Sequence, residues 1–221
     1  MSKATLLVLM AVFLAVTIEA ESSPAAYPET ISVMRTALQG ELTAHVKYLA
    51  FSKKAREEKY PRIAYLFSAL AESEGIHSRS FLKVLKDLND AGDVSALDTL
   101  LRDTKGNIRN SSTGELEEID VRYPRFLERL KTEKRDDAIS ALTHAWLAEK
   151  QHRDLIATLA LGSGALFGFL ASLIEGKPVE YFVCQSCGST LSTPEMPKNP
   201  GDPCPICHSP LSEYQKLEQP G

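Results

Sequence analysis

Apolar residues recur at steps of three and four along most of the chain, which is the spacing of amphipathic α-helices. The first such stretch shows this period at Leu38, Leu42, Val46 and Leu49. From about residue 30 to residue 161 the chain is rich in Ala, Leu, Glu, Lys and Arg, which are strong helix formers. The pattern predicts a helical body that makes up most of the protein.

Proline and polar residues divide this body into four predicted helices. The first covers about 30–57, and the second covers 61–88 because Pro61 suits the first turn of a helix. The third is expected over 114–132 and the fourth from residue 136 onward. We therefore predict an all-α core of four helices.

The connection between the second and third helices is unusually long. Residues 89–113 contain Gly, Asn and Ser clusters, which favour a loop with one helical turn near 97–101. Four helices with one long crossover in the middle match a ferritin-like bundle better than a simple up-and-down bundle.

The first residues of the chain form a separate apolar segment. Residues 4–18 carry no charge, follow Lys3 and precede the small residue Ala20. A basic start, a short apolar run and a small exit residue are typical of a secretory signal peptide. The run is also shorter than the roughly 20 residues that span a bilayer. We predict a signal peptide at residues 1–20 and an exported, periplasmic protein, with an uncleaved anchor or a buried helix as alternatives.

A second uncharged stretch covers 155–174 and is interrupted by three glycines. We interpret it as a buried helix end with a packed or dimer-facing extension, and a membrane-associated segment is the alternative.

The composition then shifts toward Cys, Pro, Gly and Ser. The predicted domains are a bundle at 28–165, a linker at 166–180 and a small cysteine domain at 181–218.

Composition and charge exclude several classes of protein. Of 221 residues, 43% are apolar and 24% are charged, so collagen-like and wholly disordered chains are excluded. The net charge of −4 does not suggest the clustered basic surface of a nucleic-acid-binding protein. Four cysteines are too few for a disulfide-dense scaffold, so their spacing must decide their role.

Two of the predicted helices carry the same motif, Glu-x-x-His. The second contains Glu74 and His77, and the fourth contains Glu149 and His152. Residues three apart lie on one face of a helix, so each pair presents a carboxylate and an imidazole to one point. Much of the same face is apolar, as shown by Leu70, Phe81, Trp146 and Leu147. Charged groups in a bundle core are costly unless they are paired or bind metal.

The other two helices supply single carboxylates at matched positions. Glu41 precedes Glu74 by 33 residues, and Glu115 precedes Glu149 by 34, which suggests two similar helix pairs facing each other. One Glu from each of two helices plus Glu-x-x-His from each of the others is the ligand set of a di-iron carboxylate site. Carboxylates with two imidazoles suit iron or manganese.

Further side chains lie near this ligand set. Glu118 follows Glu115 by one turn and is either a seventh ligand or a solvated carboxylate. Tyr48 and Tyr123 lie about two turns after the single carboxylates of their helices, as core aromatics or as hydroxyls beside the metals. His45 is expected to be a surface residue.

All four cysteines lie in two short motifs near the end of the chain. Cys184 and Cys187 form the first Cys-x-x-Cys, and Cys204 and Cys207 form the second after 16 intervening residues. Two such turns are typical of one tetrahedral site of four sulfurs that holds iron or zinc. Two disulfides are the alternative in an exported protein. A segment of this size has a small core, so a metal would supply much of its stability.

The order and spacing of these motifs resemble the rubrerythrin family. The resemblance rests on Gly40-Glu41, Glu74-x-x-His77, Gly114-Glu115-x-x-Glu118, Tyr123-Pro124, Glu149-x-x-His152 and both Cys-x-x-Cys pairs. It implies an all-α ferritin-like four-helix bundle with a small metal-bound rubredoxin-like β domain at the C-terminus. It also implies two iron ions in the bundle and one iron at the cysteines, with zinc as the alternative there.

The resemblance implies a role for each candidate residue. It implies constant iron ligands at Glu41, Glu74, Glu115, Glu149 and His152. His77 and Glu118 resemble the pair that exchange at one iron with its redox state, which favours Glu118 as a ligand. Tyr48 and Tyr123 match tyrosines that hydrogen-bond near the site. His208 follows the second cysteine motif where rubredoxins commonly have glycine.

The predicted activity is reduction of hydrogen peroxide to water in oxidative-stress defence. Electrons would come from an external donor, rubredoxin or a reductase-like protein, through the FeS₄ centre. The resemblance implies transfer between subunits and therefore a homodimer or a larger homo-oligomer. The alternatives are a ferroxidase that handles iron and a zinc-loaded binding protein.

Overall fold

The computed structural model of the protein describes residues 26–160, 175–176, 178–199 and 201–219. The predicted signal peptide and most of the apolar 155–174 stretch lie outside these ranges. Within them, none of the helices combines the length and the apolar character needed to cross a membrane.

The described part of the chain forms four helical rods. The elements are α1 (Pro28–Glu57), α2 (Pro61–Asp87), α3 (Thr104–Glu117), a π-helical turn (Glu118–Arg122), α4 (Tyr123–Leu130) and α5 (Asp136–Ala160). The π-turn joins α3 to α4, so these three elements make one rod. α1 packs along α2, and α5 packs against α2, α3 and α4. The predicted four-helix fold class is confirmed.

The third rod begins at Thr104, ten residues before the predicted Gly114, so the prediction of a loop up to 113 was wrong. The Asp103 side chain accepts a hydrogen bond from the Gly106 amide at 2.7 Å, which caps the helix. Asn107 and Ser111 are fully buried, although such residues normally mark loops. Residues 97–101 form no helical turn.

The π-turn was not predicted from the sequence. Trp146 on α5 donates its indole N–H to the Ile119 carbonyl at 2.9 Å, and Ile119 itself is buried. This contact satisfies a carbonyl in the widened turn. Single π-turns inside α-helices are frequent at functional sites, and this one begins three residues after Glu115.

Distant carboxylates cap two of the long helices. The Glu133 carboxylate accepts hydrogen bonds from the amides of Glu29 and Thr30, at 2.9 and 2.7 Å, at the start of α1. The Glu175 carboxylate accepts from the Arg62 amide at the start of α2, at 2.9 Å. Neither helix has a side-chain cap from its own N-cap residue, so these carboxylates satisfy otherwise unpaired amides.

The bundle core consists of two apolar clusters. One contains Phe51, Phe67 and Tyr65, and the other contains Met34 and Phe81. Along each rod, the predicted ligands lie at positions between the residues of one cluster and those of the other. The centre of the bundle is therefore a polar layer held between two apolar layers.

The cysteine segment forms a small antiparallel sheet of β1 (Tyr181–Cys184), β2 (Thr190–Ser192) and β3 (Tyr214–Lys216), with β1 in the middle. The sheet packs on the bundle, where the Tyr65 hydroxyl donates to the Leu217 carbonyl at 2.6 Å. Val183 is fully buried and joins the apolar cluster around Phe51. This docking brings the cysteines close to the polar layer.

Candidate metal centres

The four rods bring six of the predicted ligands together in the buried polar layer. Each of these side chains belongs to a residue at most 4% exposed. They form two groups, in which all ligand atoms lie within 4.8 Å of one another: Glu41, Glu74, His77 and Glu149; and Glu74, Glu115, Glu149 and His152. Glu74 and Glu149 belong to both groups. This is the arrangement expected of two carboxylates that bridge a pair of metal ions.

Both imidazoles turn the same nitrogen toward the carboxylates. The His77 Nδ1 atom lies 3.1 Å from Glu74 and 3.4 Å from Glu149. The His152 Nδ1 atom lies 3.0 Å from Glu149 and 3.4 Å from Glu74. The i, i+3 spacing of each Glu-x-x-His motif produces this geometry.

The chemistry of the donor set fits a pair of iron ions. Among the described residues, Oε2 of Glu115 receives no hydrogen bond, and Oε2 of Glu41 and Oε1 of Glu149 have only long contacts with Nδ1 of His77, at 3.5 and 3.4 Å. Buried carboxylate oxygens without partners are costly, and metal ions would satisfy them. Four carboxylates and two imidazoles suit iron.

The pKa values of the metal-free centre show that its side chains hold protons when no metal ion is bound. Burial raises the pKa of Glu41 and Glu115 well above the usual value, and neighbouring carboxylates add to the effect. Burial lowers the pKa of His152, but the charges of Glu149 and Glu74 outweigh it and raise the value to about 10. Protons therefore neutralise the centre when no metal is bound, and metal ions would displace them.

Two buried tyrosines orient the single carboxylates. The Tyr48 hydroxyl donates a hydrogen bond to Glu115, and the Tyr123 hydroxyl donates to Glu41. Each tyrosine comes from a different rod than its partner, so the contacts cross the bundle. The structure places both hydroxyls beside the centre, as the sharper of the two sequence interpretations expected.

Glu118 lies outside both groups of ligand atoms. Its carboxylate accepts a hydrogen bond from Arg122 at 2.7 Å, and its side chain is 18% exposed. Burial raises its pKa to about 7, with help from the charge of Glu149. The π-turn thus holds Glu118 at the edge of the centre, and its role as a seventh ligand stays a prediction.

His45 does not belong to the centre. Its Nδ1 atom lies 2.7 Å from the Ala71 carbonyl on α2, in a half-buried contact between two helices. His45 is therefore half-buried between α1 and α2 rather than fully at the surface as expected.

The four cysteines form the second centre. Their sulfurs lie within 4.8 Å of one another, with Cys184 to Cys207 at 3.8 Å and Cys187 to Cys204 at 3.7 Å. All four are free thiols, so the disulfide alternative does not describe this structure. A tetrahedral ion with metal–sulfur bonds of about 2.3 Å separates its sulfurs by about 3.8 Å. The spacing therefore fits one metal ion.

The two cysteine turns have the same backbone but different surroundings. Gly188 and His208 occupy equivalent positions, and both have positive φ, at 80° and 59°. His208 is exposed, so its side chain has room. A Cβ atom at Gly188 would lie only 2.4 Å from Nε2 of His77. Glycine is therefore required in the first turn alone.

This close approach connects the two centres. Ser73 donates a hydrogen bond to the Gly188 carbonyl at 2.6 Å, and its oxygen lies 3.0 Å from Nε2 of His152. The Thr190 hydroxyl lies 3.5 Å from the same nitrogen. These contacts fix the ring of His152, as partners of metal-binding histidines commonly do. Neither Ser73 nor Thr190 was predicted, because no motif marks them.

Comparison with known proteins agrees with this geometry. The family model named Rubrerythrin matches residues 32–160. The chain is 30% identical over 190 residues to Rubrerythrin-2 of Clostridium acetobutylicum, covering 84% of this chain and 95% of that protein. It is 29% identical to nigerythrin of Nitratidesulfovibrio vulgaris, covering 87% of this chain and 88% of that protein.

Solved structures show the same fold. Mixed-valence nigerythrin superposes with a TM-score of 0.71 at 24% identity, covering 90% of each chain. A bacterioferritin from Desulfovibrio desulfuricans matches with a TM-score of 0.63 at 18% identity, covering 68% of this chain and 88% of that one. The family match, the paired ligand groups and the cysteine cluster agree. The chain therefore belongs to the rubrerythrin family of oxidoreductases, with a di-iron site in its helical bundle and one iron at its four cysteines.

Proposed function

We propose that this protein reduces hydrogen peroxide to water and receives its electrons through the cysteine centre. The observation that carries the proposal is the packing of the Cys187–Gly188 turn against Ser73 and His77, with Ser73 linking the Gly188 carbonyl to His152. When bound, a pair of iron ions supplies two electrons for splitting the O–O bond. The balanced reaction is H₂O₂ + 2 H⁺ + 2 e⁻ → 2 H₂O.

The side chains of the bundle hold and orient the reacting site. Glu74 and Glu149 would help to hold both ions, because each belongs to both ligand groups. Tyr48 and Tyr123 hold the outer carboxylates in place through their hydroxyls. Burial of the whole layer excludes bulk water, which strengthens these electrostatic contacts.

The chain also offers a group that can hold a proton near the centre. In the metal-free centre, burial raises the pKa of Glu118 to about 7, so its carboxyl can hold a proton near neutral pH. Arg122 contacts its Oε1 atom at 2.7 Å and keeps the carboxyl at the edge of the layer. Peroxide reduction consumes protons, and Glu118 is our candidate for supplying one.

The contact between the centres supports an electron relay. The sulfur of Cys187 is one residue from Gly188, whose carbonyl is hydrogen-bonded through Ser73 toward His152. Short contacts through bonded atoms favour electron transfer over a solvent-filled gap. In the structure this contact lies within one chain, whereas the resemblance implied transfer between subunits. A homodimer or larger assembly and an external donor remain parts of the proposal.

The experiment that tests the proposal is Cys204→Ser. We expect steady turnover with an electron donor to be lost, while the chemically pre-reduced bundle still completes one round of peroxide reduction. Steady turnover at the wild-type rate in this variant would contradict the relay. Failure of the pre-reduced wild-type protein to consume peroxide would contradict the activity itself.

Ferroxidase and iron handling is the rival function. It predicts oxygen-driven oxidation of added Fe(II) and assembly into a large hollow shell, which size-exclusion chromatography detects. The cysteine centre argues against it, because iron storage does not require an electron-transfer site.

Export to the periplasm is likewise proposed from residues 1–20 alone, and N-terminal sequencing of the mature protein tests it.

A further inference from the structure

A cavity of about 440 Å³ lies between α1 and the rod of α3 and the π-turn. We refer to it as the glycine-lined cavity. Its wall includes Gly40, Thr43, Lys47, Gly114, Glu118 and Arg122. It reaches the edge of the polar layer at Glu118, and Gly40 and Gly114 in its wall are the residues before the candidate ligands Glu41 and Glu115.

Neither the backbone conformation nor a close neighbour requires glycine at these two positions. Both lie inside helices, where glycine costs roughly 1 kcal/mol relative to alanine. A Cβ atom at Gly40 would meet its nearest neighbour, Arg122, at 3.6 Å, and one at Gly114 would meet Lys47 at 3.9 Å. By contrast, a Cβ atom at Gly106 would lie 2.8 Å from Asp103. The sequence therefore keeps open space at Gly40 and Gly114 rather than avoiding a clash.

The wall of the cavity includes Glu118, the carboxylate at the edge of the centre. Glu118 is 18% exposed, whereas the side chains of the other four carboxylates are at most 5% exposed. It is tied to Arg122, whose side chain is 37% exposed and also contacts Glu117 at 3.5 Å. A small shift of Glu118 and Arg122 would open the cavity to the polar layer that contains the candidate ligands.

The charge of the wall favours small polar or anionic molecules. Lys47 and Arg122 line the cavity together with a single carboxylate, Glu118. The Lys47 ammonium also lies 4.4 Å from the ring centre of Tyr48, the residue that orients Glu115. Because Arg122 is already paired with Glu118 and Glu117, the attraction for anions comes mainly from Lys47.

A second cavity of about 340 Å³ offers the rival route. It lies between α2, α5 and the cysteine turn, and its wall includes His77, Ser140, His144 and Cys187. There the ring of His77 stands between the cavity and the carboxylates, with Nδ1 held 3.1 to 3.5 Å from three of them. This cavity therefore reaches the back of a candidate ligand, beside the electron-transfer contact.

We propose that the glycine-lined cavity is the entrance through which small oxidants reach the di-iron site. The proposal rests on the proposed function for the identity of its oxidant, hydrogen peroxide. The two faces of the centre then have separate tasks: electrons enter where the cysteine turn contacts His77 and Ser73, and the oxidant enters past Glu118. Gly40 and Gly114 limit the entrance to small molecules.

The test is the rate of azide binding to the oxidised, iron-loaded protein, followed by its absorption spectrum. Gly114→Leu places a side chain in the cavity and replaces glycine by a better helix former. We expect association and dissociation of azide both to slow by about tenfold or more, with the dissociation constant nearly unchanged. Ser140→Leu fills the wall of the second cavity at an exposed position and should leave both rates unchanged.

Two results would overturn the entrance. One is wild-type azide kinetics in Gly114→Leu with full iron content, and the other is slowing in Ser140→Leu alone. If Gly114→Leu fails to load iron, Gly40→Leu tests the opposite wall by the same measurement. Azide binding does not require turnover, so a wild-type protein that binds azide but does not reduce peroxide would contradict the proposed function and leave the entrance standing.

Discussion

The bundle centre draws six residues from four rods spread between residues 41 and 152, whereas the four cysteines lie between residues 184 and 207. Two apolar clusters hold the bundle residues in place from both sides. The cysteine segment has three short strands, and its own apolar cluster consists mainly of the cysteines with Ile206 and Ala148. The bundle therefore builds its site before metal binds, and the cysteine segment depends on the metal to build its own.

Removing all iron should separate the two regions most clearly. We expect the cysteine segment to lose its structure, because a structural metal of this type contributes about 10 kcal/mol. The bundle should remain helical, since its clusters do not involve the metal. Far-ultraviolet circular dichroism reports the helices, and hydrogen exchange of residues 181–192 reports the sheet. If chelation increased hydrogen exchange as much in the helices as in the sheet, the bundle would also depend on metal.

Raising the pH should destabilise the metal-free bundle. The pKa of His152 is raised from 6.5 to about 10, so its stabilising charge is complete below pH 6.5 and is lost as the pH rises through 10. Loss of that charge removes one of the two imidazolium partners of Glu74 and Glu149, at a cost of about 3 kcal/mol, while His77 stays 3.1 and 3.4 Å from them.

The melting temperature of the metal-free protein measures this effect between pH 7 and 10. The iron-loaded protein is the control, and its melting temperature should change little over the same range. A metal-free protein that is equally stable at both pH values would contradict the predicted protonation of the centre.

Gly188→Ala should disturb the contact between the two regions. The new Cβ atom would lie 2.4 Å from His77, and the φ of 80° disfavours any side chain. We expect the free energy that holds the sheet on the bundle to fall by about 2 kcal/mol. We also expect slower reduction of the bundle iron. Stopped-flow spectroscopy measures that rate.

Gly201→Ala is the matched control for this variant. Gly201 lies in the same segment, and a Cβ atom there would meet no described atom within 4 Å. Similar electron-transfer rates in both variants would indicate that the Gly188 contact is not part of the relay.

Glu133→Gln should have the smallest effect and concerns the bundle alone. It weakens the charged cap on the amides of Glu29 and Thr30, at a cost of about 1 kcal/mol. Thermal unfolding of the iron-loaded protein measures the change. Glu128→Gln removes a carboxylate whose described contact is an exposed pair with Lys131, and it should be neutral. A larger loss in Glu128→Gln would contradict the capping role.

Local patterns predicted much of this molecule. The helical period and the proline at residue 61 place α1 and α2 correctly, and the repeated Glu-x-x-His spacing brings Glu74, His77, Glu149 and His152 to one layer. These features depend on residues close together in sequence, where helix geometry is fixed.

Contacts between distant segments were beyond prediction. The start of α3 at Thr104 depends on the distant Glu58 carboxylate, which accepts a hydrogen bond from the Thr104 amide at 2.8 Å, and on the burial of Asn107. The closeness of Gly188 to His77 depends on how the sheet docks, which no local pattern reveals. Polar residues such as Ser73 gain their role only from that docking.

Mössbauer spectroscopy of the ⁵⁷Fe-loaded protein tests the central claim most directly. We expect two kinds of iron in a ratio of two to one. The more abundant kind is a coupled pair with oxygen and nitrogen ligands, and the other is a single iron with four sulfur ligands. One equivalent of hydrogen peroxide added to the fully reduced protein should oxidise the pair. Iron bound at the cysteines alone, or a coupled pair that stays ferrous after peroxide is added, would contradict it.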